Sequence, residues 1–495
     1  MADRTRAASK GMVAAWYLGP PLLAAAALWA IVPAPAERAL LIGLAVVAGA
    51  AAAAILRQPA WGALALIAFV YSNLPGVITQ QGGGTWELTA LLIWTAAAWL
   101  AHQGMRRDSP PLRWPLWLPL LIWGVLMVVA GWRGVNHPDS IVAVEGYGKS
   151  VLILYLIVNL LRTPRRLHAA IQALLAVVVL MAAAVIYQGV TGSNFDFGGF
   201  ATRTYEETSP GVMGWRLGGS MGDPNFLALM LVATLPLAGM EMLEPQARPA
   251  RALGGLAIAM TLMAAVFTYS RGALLGIVFA AAALAWHQRR RTLWLALGAA
   301  LGVVVVAALP QAYRARLLSL RELSLTAPQQ SIPDASFRGR RSELLAGVLM
   351  WRTHPWLGVG TGAYADAYER YSGWLGLDPR GEMRDPHNLY VERASETGTL
   401  GLLAFLGLLA TALIELRRTR HWFARRGAAA WAHAARGVEL SIETYLLMSL
   451  FLHGAYFRNF YLLLALAAGY IAFGRAWRRA AAAAPARPLA AASGA

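Results

Sequence analysis

The stretch HAAIQALLAVVVLMAAAVIYQGV (168–190) has 23 residues and no Asp, Glu, Lys or Arg. As a helix it is about 34 Å long, enough to cross a hydrocarbon core of about 30 Å. It has many companions. Further apolar stretches fall near 12–32, 39–55, 60–74, 87–102, 114–131, 150–161, 224–241, 252–269, 272–286, 292–309, 397–415, 438–456 and 459–474, which makes fourteen in all. Composition agrees: 58% of the 495 residues are apolar and 14% are charged, against about 25% charged in a soluble domain. Mean hydropathy is +0.50. The chain therefore reads as an all-α polytopic integral membrane protein of about 12–14 transmembrane helices, and a soluble enzyme, a disordered chain and a fibrous repeat are excluded.

The net charge is +18, and all but two of the 43 basic residues are arginines. In a soluble protein that balance points to nucleic acid; here it points to cytoplasmic loops. With the N-terminus inside, the inner segments carry 25 basic residues and the outer ones 18, of which 11 sit in one long loop. Every short outer loop carries two or fewer. The positive-inside rule thus predicts that both termini are cytoplasmic. No cleavable signal peptide is legible. The chain has no cysteine, which removes disulfides, thiolate metal sites and a cysteine nucleophile.

Five regions follow. Residues 1–190 form N-terminal transmembrane helices, and 191–309 form central ones with a glycine-rich periplasmic loop. Residues 310–396 are a large periplasmic loop, 397–475 the C-terminal helices, and 476–495 an Ala/Pro-rich disordered cytoplasmic tail. A loop of such length is usually functional. Within it, 340–354 and 363–371 have helical spacing and GVGTG (358–362) reads as a turn. No strand pattern and no internal repeat stand out.

Polar motifs gather on the outer side. In RDPHNLYVERASETGTLG (384–401), Asp385 suits an N-cap and Pro386 the first helical position. His387 and Asn388 then lie in a first turn that favours an anion, and a histidine there can act as base or phosphate partner. TYSRGALLG (268–276) places Arg271 at the membrane edge, where an arginine is costly and a functional candidate. GWRLGGSMGDPNFLALM (214–230) sets Arg216 in glycine-rich chain, with Asp223 and Pro224 opening a helix. FRGRRSE (337–343) offers Arg338, Arg340 and Arg341 as a diphosphate clamp. Lys149 is expected at the outer end of the 150–161 span, poised for a lipid-linked phosphate. AVEGYGKS (143–150) is not a nucleotide loop, since no strand precedes it. No Asp-x-Asp or HExxH is present, so neither a metal site nor a cofactor is expected. Charges inside spans look nearly absent, Glu443 being the closest.

Several of these motifs occur in a fixed order: R-x-x-G-x-x-x-D-P-N-x-L-A near 216–228, S-R-G at 270–272, and HPWLGVGTG (354–362) followed by PHN (386–388) and ETG (396–398). This arrangement resembles the O-antigen ligase/polymerase family over about 215–405. The resemblance implies a membrane-embedded, C-type glycosyltransferase that takes a glycan from undecaprenyl diphosphate on the periplasmic face without metal. The acceptor is lipid A–core in ligases, another lipid-linked repeat in polymerases, or a serine or threonine in a protein-glycosylating branch. Among the family's essential residues, the P-H-N histidine corresponds to His387, the long-loop arginine to Arg338 (to Arg340 if the register is shifted), and the S-R-G arginine to Arg271. O-antigen ligation to lipid A–core is the leading expectation. In that scheme His387 deprotonates the acceptor while Arg216, Arg271 and Arg338 stabilise the diphosphate. Glu396 lies nine residues past His387, about 900° on an ideal helix, and shares a site with it only if the helix starts late or breaks near Gly398. Substrates and membrane lipids are the expected partners, and no nucleic acid. A lipid-linked oligosaccharide flippase is the rival class; such proteins usually show repeats and mid-bilayer charges. A shape–elongation type polymerase uses a similar donor, but its motifs are not seen.

Overall fold

The computed structural model describes residues 47–84, 86–105, 112–134, 137–209, 212–243, 248–286, 335–377, 384–454 and 457–483, with the isolated residues 292, 311 and 314. The expected spans 12–32 and 292–309 (apart from residue 292), the first half of 39–55, the loop 315–334 and the tail beyond 483 lie outside the described residues.

Two units partition the chain. The first takes in 1–66 and 86–111, the second 67–85 and 112–495. In the first, the helices are α1 (Val47–Arg57), the start of α2 (Ala60–Tyr71) and, beyond α3 (Leu74–Gln80) of the second unit, α4 (Trp86–Gly104). Trp94 Nε1 donates to the Ala52 carbonyl at 3.1 Å, and the His102 ring meets the Leu56 carbonyl at 2.7 Å. These contacts clip α4 to α1.

The second unit holds the rest. Its helices are α5 (Trp117–Arg133), α6 (His137–Leu160), α7 (Pro164–Thr191), α8 (Pro224–Ala233), α9 (Leu235–Leu243), α10 (Arg248–Thr268), α11 (Arg271–Trp286), α12 (Ala335–Thr353), α13 (Tyr364–Trp374), α14 (Leu389–Arg425), α15 (Ala429–Met448) and α16 (Phe457–Ala483). Among the described residues six helices are long and apolar enough to cross a membrane, or seven if the bent pair α2–α3 is one span. The protein is an all-α multi-span membrane protein. α8 and α9 run through its interior, where Phe226 to Ala233 are all buried.

One departure from the expected helices is a hairpin. β1 (Thr202–Ser209) pairs antiparallel with β2 (Val212–Gly219), Tyr205 opposite Trp215 and Thr204 opposite Arg216. Its sequence, TRTYEETS, shows polar rather than apolar alternation, so the periodicity signal of a strand is missing. A second departure concerns α6, which starts at His137 rather than 150. Lys149 consequently lies about 18 Å along the helix, not at its end, and its ammonium pairs with Glu145 at 2.6 Å.

Charges within helices are also commoner than expected, and they are paired. Glu439 of α15 is fully buried and meets Arg417, Arg420 and Arg436 at 2.7–3.0 Å. In α14 the buried Arg393 bridges Glu392 at 2.8 Å and Glu396 at 3.4 Å. A buried charge needs such compensation.

The motif HPWLGVGTG (354–362) has a structural explanation. α14 breaks at Gly398, whose φ of 66° and ψ of −169° no helix contains. The 355–360 segment clasps that break: Val359 N–H donates to the Ser395 carbonyl at 2.8 Å, Gly360 N–H to that of Glu396 at 3.1 Å, and Thr399 N–H to that of Pro355 at 2.7 Å. The chains touch backbone to backbone. A Cβ on Gly358 would lie 2.3 Å from the Glu396 carbonyl carbon, and one on Gly398 would lie 2.2 Å from that of Trp356. The clasp gives the backbone groups freed by the break new partners, as burial demands.

Candidate active site

The polar residues of interest collect at one end of the bundle, where α8, α11 and α14 begin. α8 begins as expected: Asp223 accepts from the amides of Asn225 and Phe226, with Pro224 in the first turn. α14 does not. Asn388, rather than Asp385, is the N-cap, accepting from the amides of Tyr390 and Val391 at 3.0 Å each. Its amide Nδ2 donates to the Leu450 carbonyl. Asn388 is thus consumed by the fold, and His387 stands just outside the helix, at a bend two residues before its first residue.

His387 is held by a residue the sequence reading passed over. Its Nδ1 lies 2.7 Å from Oε2 of Glu343, which is 1% exposed. A carboxylate can only accept, so it selects the tautomer with the proton on Nδ1 and leaves Nε2 with its lone pair. Glu343 sits on α12 within the quoted FRGRRSE motif. α12 is fixed by a buried cluster in which Ala346 and Met350 face Tyr364, Tyr368 and Tyr371 of α13. Ser342 and Tyr368 share a hydrogen bond of 2.7 Å, and Tyr364 donates to the Glu343 carbonyl.

Arg340 lies one turn before Glu343. Burial, and then the like charges of Arg271 and Arg216, hold its guanidinium below the usual arginine value, against the pull of Glu343 and Asp223. Three arginines from β2, α11 and α12 therefore converge. Arg340 forms no hydrogen bond or ion pair with another described residue. Cations drawn together in a buried place need an anion. Arg338 and Arg341 do not complete a clamp with it: on the helix they lie about 200° and 100° round from Arg340, and both are engaged with other groups.

Arg216 is 2% exposed and acts as a brace. It donates to Glu206 at 2.6 Å, to the Thr268 carbonyl at 3.0 Å and to Asn225 Oδ1 at 3.1 Å. These bonds join the hairpin, the start of α8 and the turn before α11. That turn carries Tyr269 at φ 51° and aims Arg271. Strain of this kind persists where surroundings over-determine it.

Another group missed in the sequence is His453, between α15 and α16. Its ring meets that of His387 edge-on, centroids 5.7 Å apart, and that of Phe226 at 5.0 Å. Asp385 lies 3.8 Å from its Nδ1. Burial lowers its pKa, partly offset by Asp385 and Glu392. The loop bearing it is stitched to α14: Leu389 N–H donates to the Ser449 carbonyl at 2.9 Å, and Gly454 N–H to Glu392 at 2.6 Å. Glu396, through Arg393, belongs to this support. The helix does start late and does break at Gly398, yet Glu396 touches Arg393 and not His387. Lys149 pairs with Glu145 and is not brought to the arginines. An apolar groove of about 800 Å³ between α5 and α6, lined by Trp114, Trp117, Val128 and Tyr147, contains none of these groups.

The arrangement can take a proton from a hydroxyl and compensate an anion a few ångströms away. Among the described residues no cluster of three metal-binding side chains occurs. Curated proteins give no match to the chain. Residues 256–406 match the family model described as O-Antigen ligase. The matched segment runs from α10 into α14 and includes Arg271, Arg340, Glu343 and His387. The match takes in 151 of the 495 residues, and over that segment the chain is similar to the O-antigen ligase family.

Proposed function

We propose that the protein transfers a glycan from undecaprenyl diphosphate to an acceptor hydroxyl at the periplasmic face of the inner membrane, with lipid A–core as acceptor. The observation that carries this reading is an imidazole fixed by a buried carboxylate, one helical turn from a guanidinium that forms no ion pair with another described residue. His387 Nε2 takes the proton of the acceptor hydroxyl, and Glu343 stabilises the imidazolium that forms. The acceptor oxygen bonds to the anomeric carbon as the bond from that carbon to the diphosphate oxygen breaks. Charge develops on the leaving diphosphate, and Arg340 and Arg271 receive it. Attack opposite the leaving group inverts the anomeric centre. Arg216 works at one remove, by holding the turn that presents Arg271. The guanidinium groups supply the compensation for which other transferases use a cation, so no metal is required.

The test uses protein in liposomes with an undecaprenyl-diphosphate glycan, EDTA, and either lipid A–core or further lipid-linked repeats. Glycosylated lipid A–core made by wild type and absent with His387→Ala is the expected result. A ladder of longer lipid-linked glycans would make the protein a polymerase, and a glycosylated peptide a protein oligosaccharyltransferase. Donor carried across the bilayer without any product would mean a flippase.

A further inference from the structure

His453 has no part in the chemistry so far, although its position calls for one. It is a second imidazole in contact with the first, half-buried, on a loop pinned by at least three hydrogen bonds to the start of α14. It makes no hydrogen bond to another described residue. Asp385 Oδ2 lies 3.8 Å from its Nδ1, and that carboxylate side chain is 54% exposed. His387, by contrast, is closed off on one side by Glu343. Once it has taken a proton at Nε2 it is an imidazolium against a buried carboxylate, and it cannot act as base again until that proton leaves. Turnover needs a way out. The groups in line are His387, then His453, then Asp385 at the surface.

We propose that His453 is the second proton carrier of this centre: it takes from His387 the proton removed from the acceptor and hands it to Asp385 and the outer water. The inference rests on the transfer reading above. Each turnover breaks the acceptor O–H bond, and the proton passes to His387. It then passes to His453, directly or through one bridging water. His453 releases a proton from the side facing Asp385, and His387 is neutral again. One proton reaches solvent per glycan transferred. A ring that is neutral before it receives the proton is what the step needs. Burial provides that; the charge of His387 acts in the same direction, and the carboxylates of Asp385, Glu392 and Asp223 act against it.

The experiment measures steady-state transfer by wild type, His453→Gln and Asp385→Asn in liposomes, with and without added imidazole and over a series of buffer concentrations. Folding of each variant is checked by its thermal melt. For His453→Gln the expectation is a fall in kcat of about 10²-fold, the low end for a lost proton carrier. KM should change little, and exogenous imidazole should restore much of the rate. Asp385→Asn, at an exposed position, should show a smaller fall that rises again with buffer concentration. Wild-type rates in both variants would overturn the relay. So would a folded but slow His453→Gln protein indifferent to imidazole, which would make the residue a structural one. Absence of transfer by wild type would overturn the relay together with the transfer reading; transfer abolished by His387→Ala and untouched by His453→Gln would overturn the relay alone.

Discussion

At the residue scale, the structure separates arginines that the sequence places together. Arg338, Arg340 and Arg341 read as one cluster, yet Arg340 alone of the three has no partner among the described residues and faces Arg271. Arg340→Ala is expected to lower kcat by about 10²–10³-fold, the usual cost of losing one transition-state donor. Arg338→Ala should stay within about tenfold in the same liposome assay. Glu343→Gln keeps the shape of the contact but removes the charge, and a neutral amide can present the wrong tautomer of His387. A fall of about 10²-fold with unchanged KM is expected, since only the transition state carries the imidazolium. The sequence offered Arg340 without separating it from Arg338 and Arg341, and it did not single out Glu343. Which acid of a long loop will be buried, 44 positions from its histidine, depends on how α12 docks. His387 and Arg271 were legible because a histidine before a helix and an arginine at a membrane edge are unusual in themselves. His453 affects stability as well. Its lowered pKa means that the unfolded chain binds a proton more readily than the folded one. As pH falls through about 6.5, where a free histidine titrates, this residue makes folding progressively less favourable. Thermal melts against pH should show a shallower acid-side decline in His453→Gln.

Elements were legible where apolar length alone decides, as in α7, α10 and α11. They were not legible where hydrogen bonding to a distant segment decides. The start of α14 moved from Pro386 to Leu389 because Asn388 caps more effectively than Asp385 in this context, tying both the helix and the His453 loop. The clasp at Gly398 likewise joins segments 40 residues apart, and the sequence shows only two glycine-rich motifs. It makes a sharp prediction. Gly398→Ala places a Cβ 2.2 Å from the Trp356 carbonyl carbon and at a backbone conformation only glycine adopts. The conformational strain alone costs about 1–3 kcal/mol, and the backbone collision adds to it. Gly407→Ala lies in the same helix, where an added Cβ meets nothing within 4 Å. There the better helix propensity of alanine contributes about 1 kcal/mol in favour of folding. The first variant should melt well below wild type and lose activity; the second should melt at or above it and keep activity. Equal behaviour of the two would mean that the clasp does not hold α14.

On the scale of the whole molecule, the question is which side of the membrane each end of the bundle faces. The arginine-rich end carries six arginines between 417 and 436, whereas the short connector 449–457 at the His387 end carries none. The positive-inside rule predicts the former to be cytoplasmic, and His387 is then expected on the outer side. The same ends differ in construction. Around His387 the chain uses a hairpin, a clasp and a stitched loop, all ways to satisfy non-helical backbone near a membrane. At the other end α14 turns into α15 through three residues, Arg426–Ala428, and the arginines there are locked to Glu439 and Glu443. A catalytic pocket for a lipid-borne donor belongs with the first construction. Because the chain has no cysteine, single cysteines report topology without background. Asn194→Cys, exposed beyond the end of α7, should react with a membrane-impermeant maleimide on intact spheroplasts. Ala424→Cys, exposed at the end of α14, should react only after the membrane is opened. The opposite pattern would place His387 in the cytoplasm, where a glycan already flipped to the outer leaflet is out of reach, and the donor would then have to be one assembled on the inner leaflet.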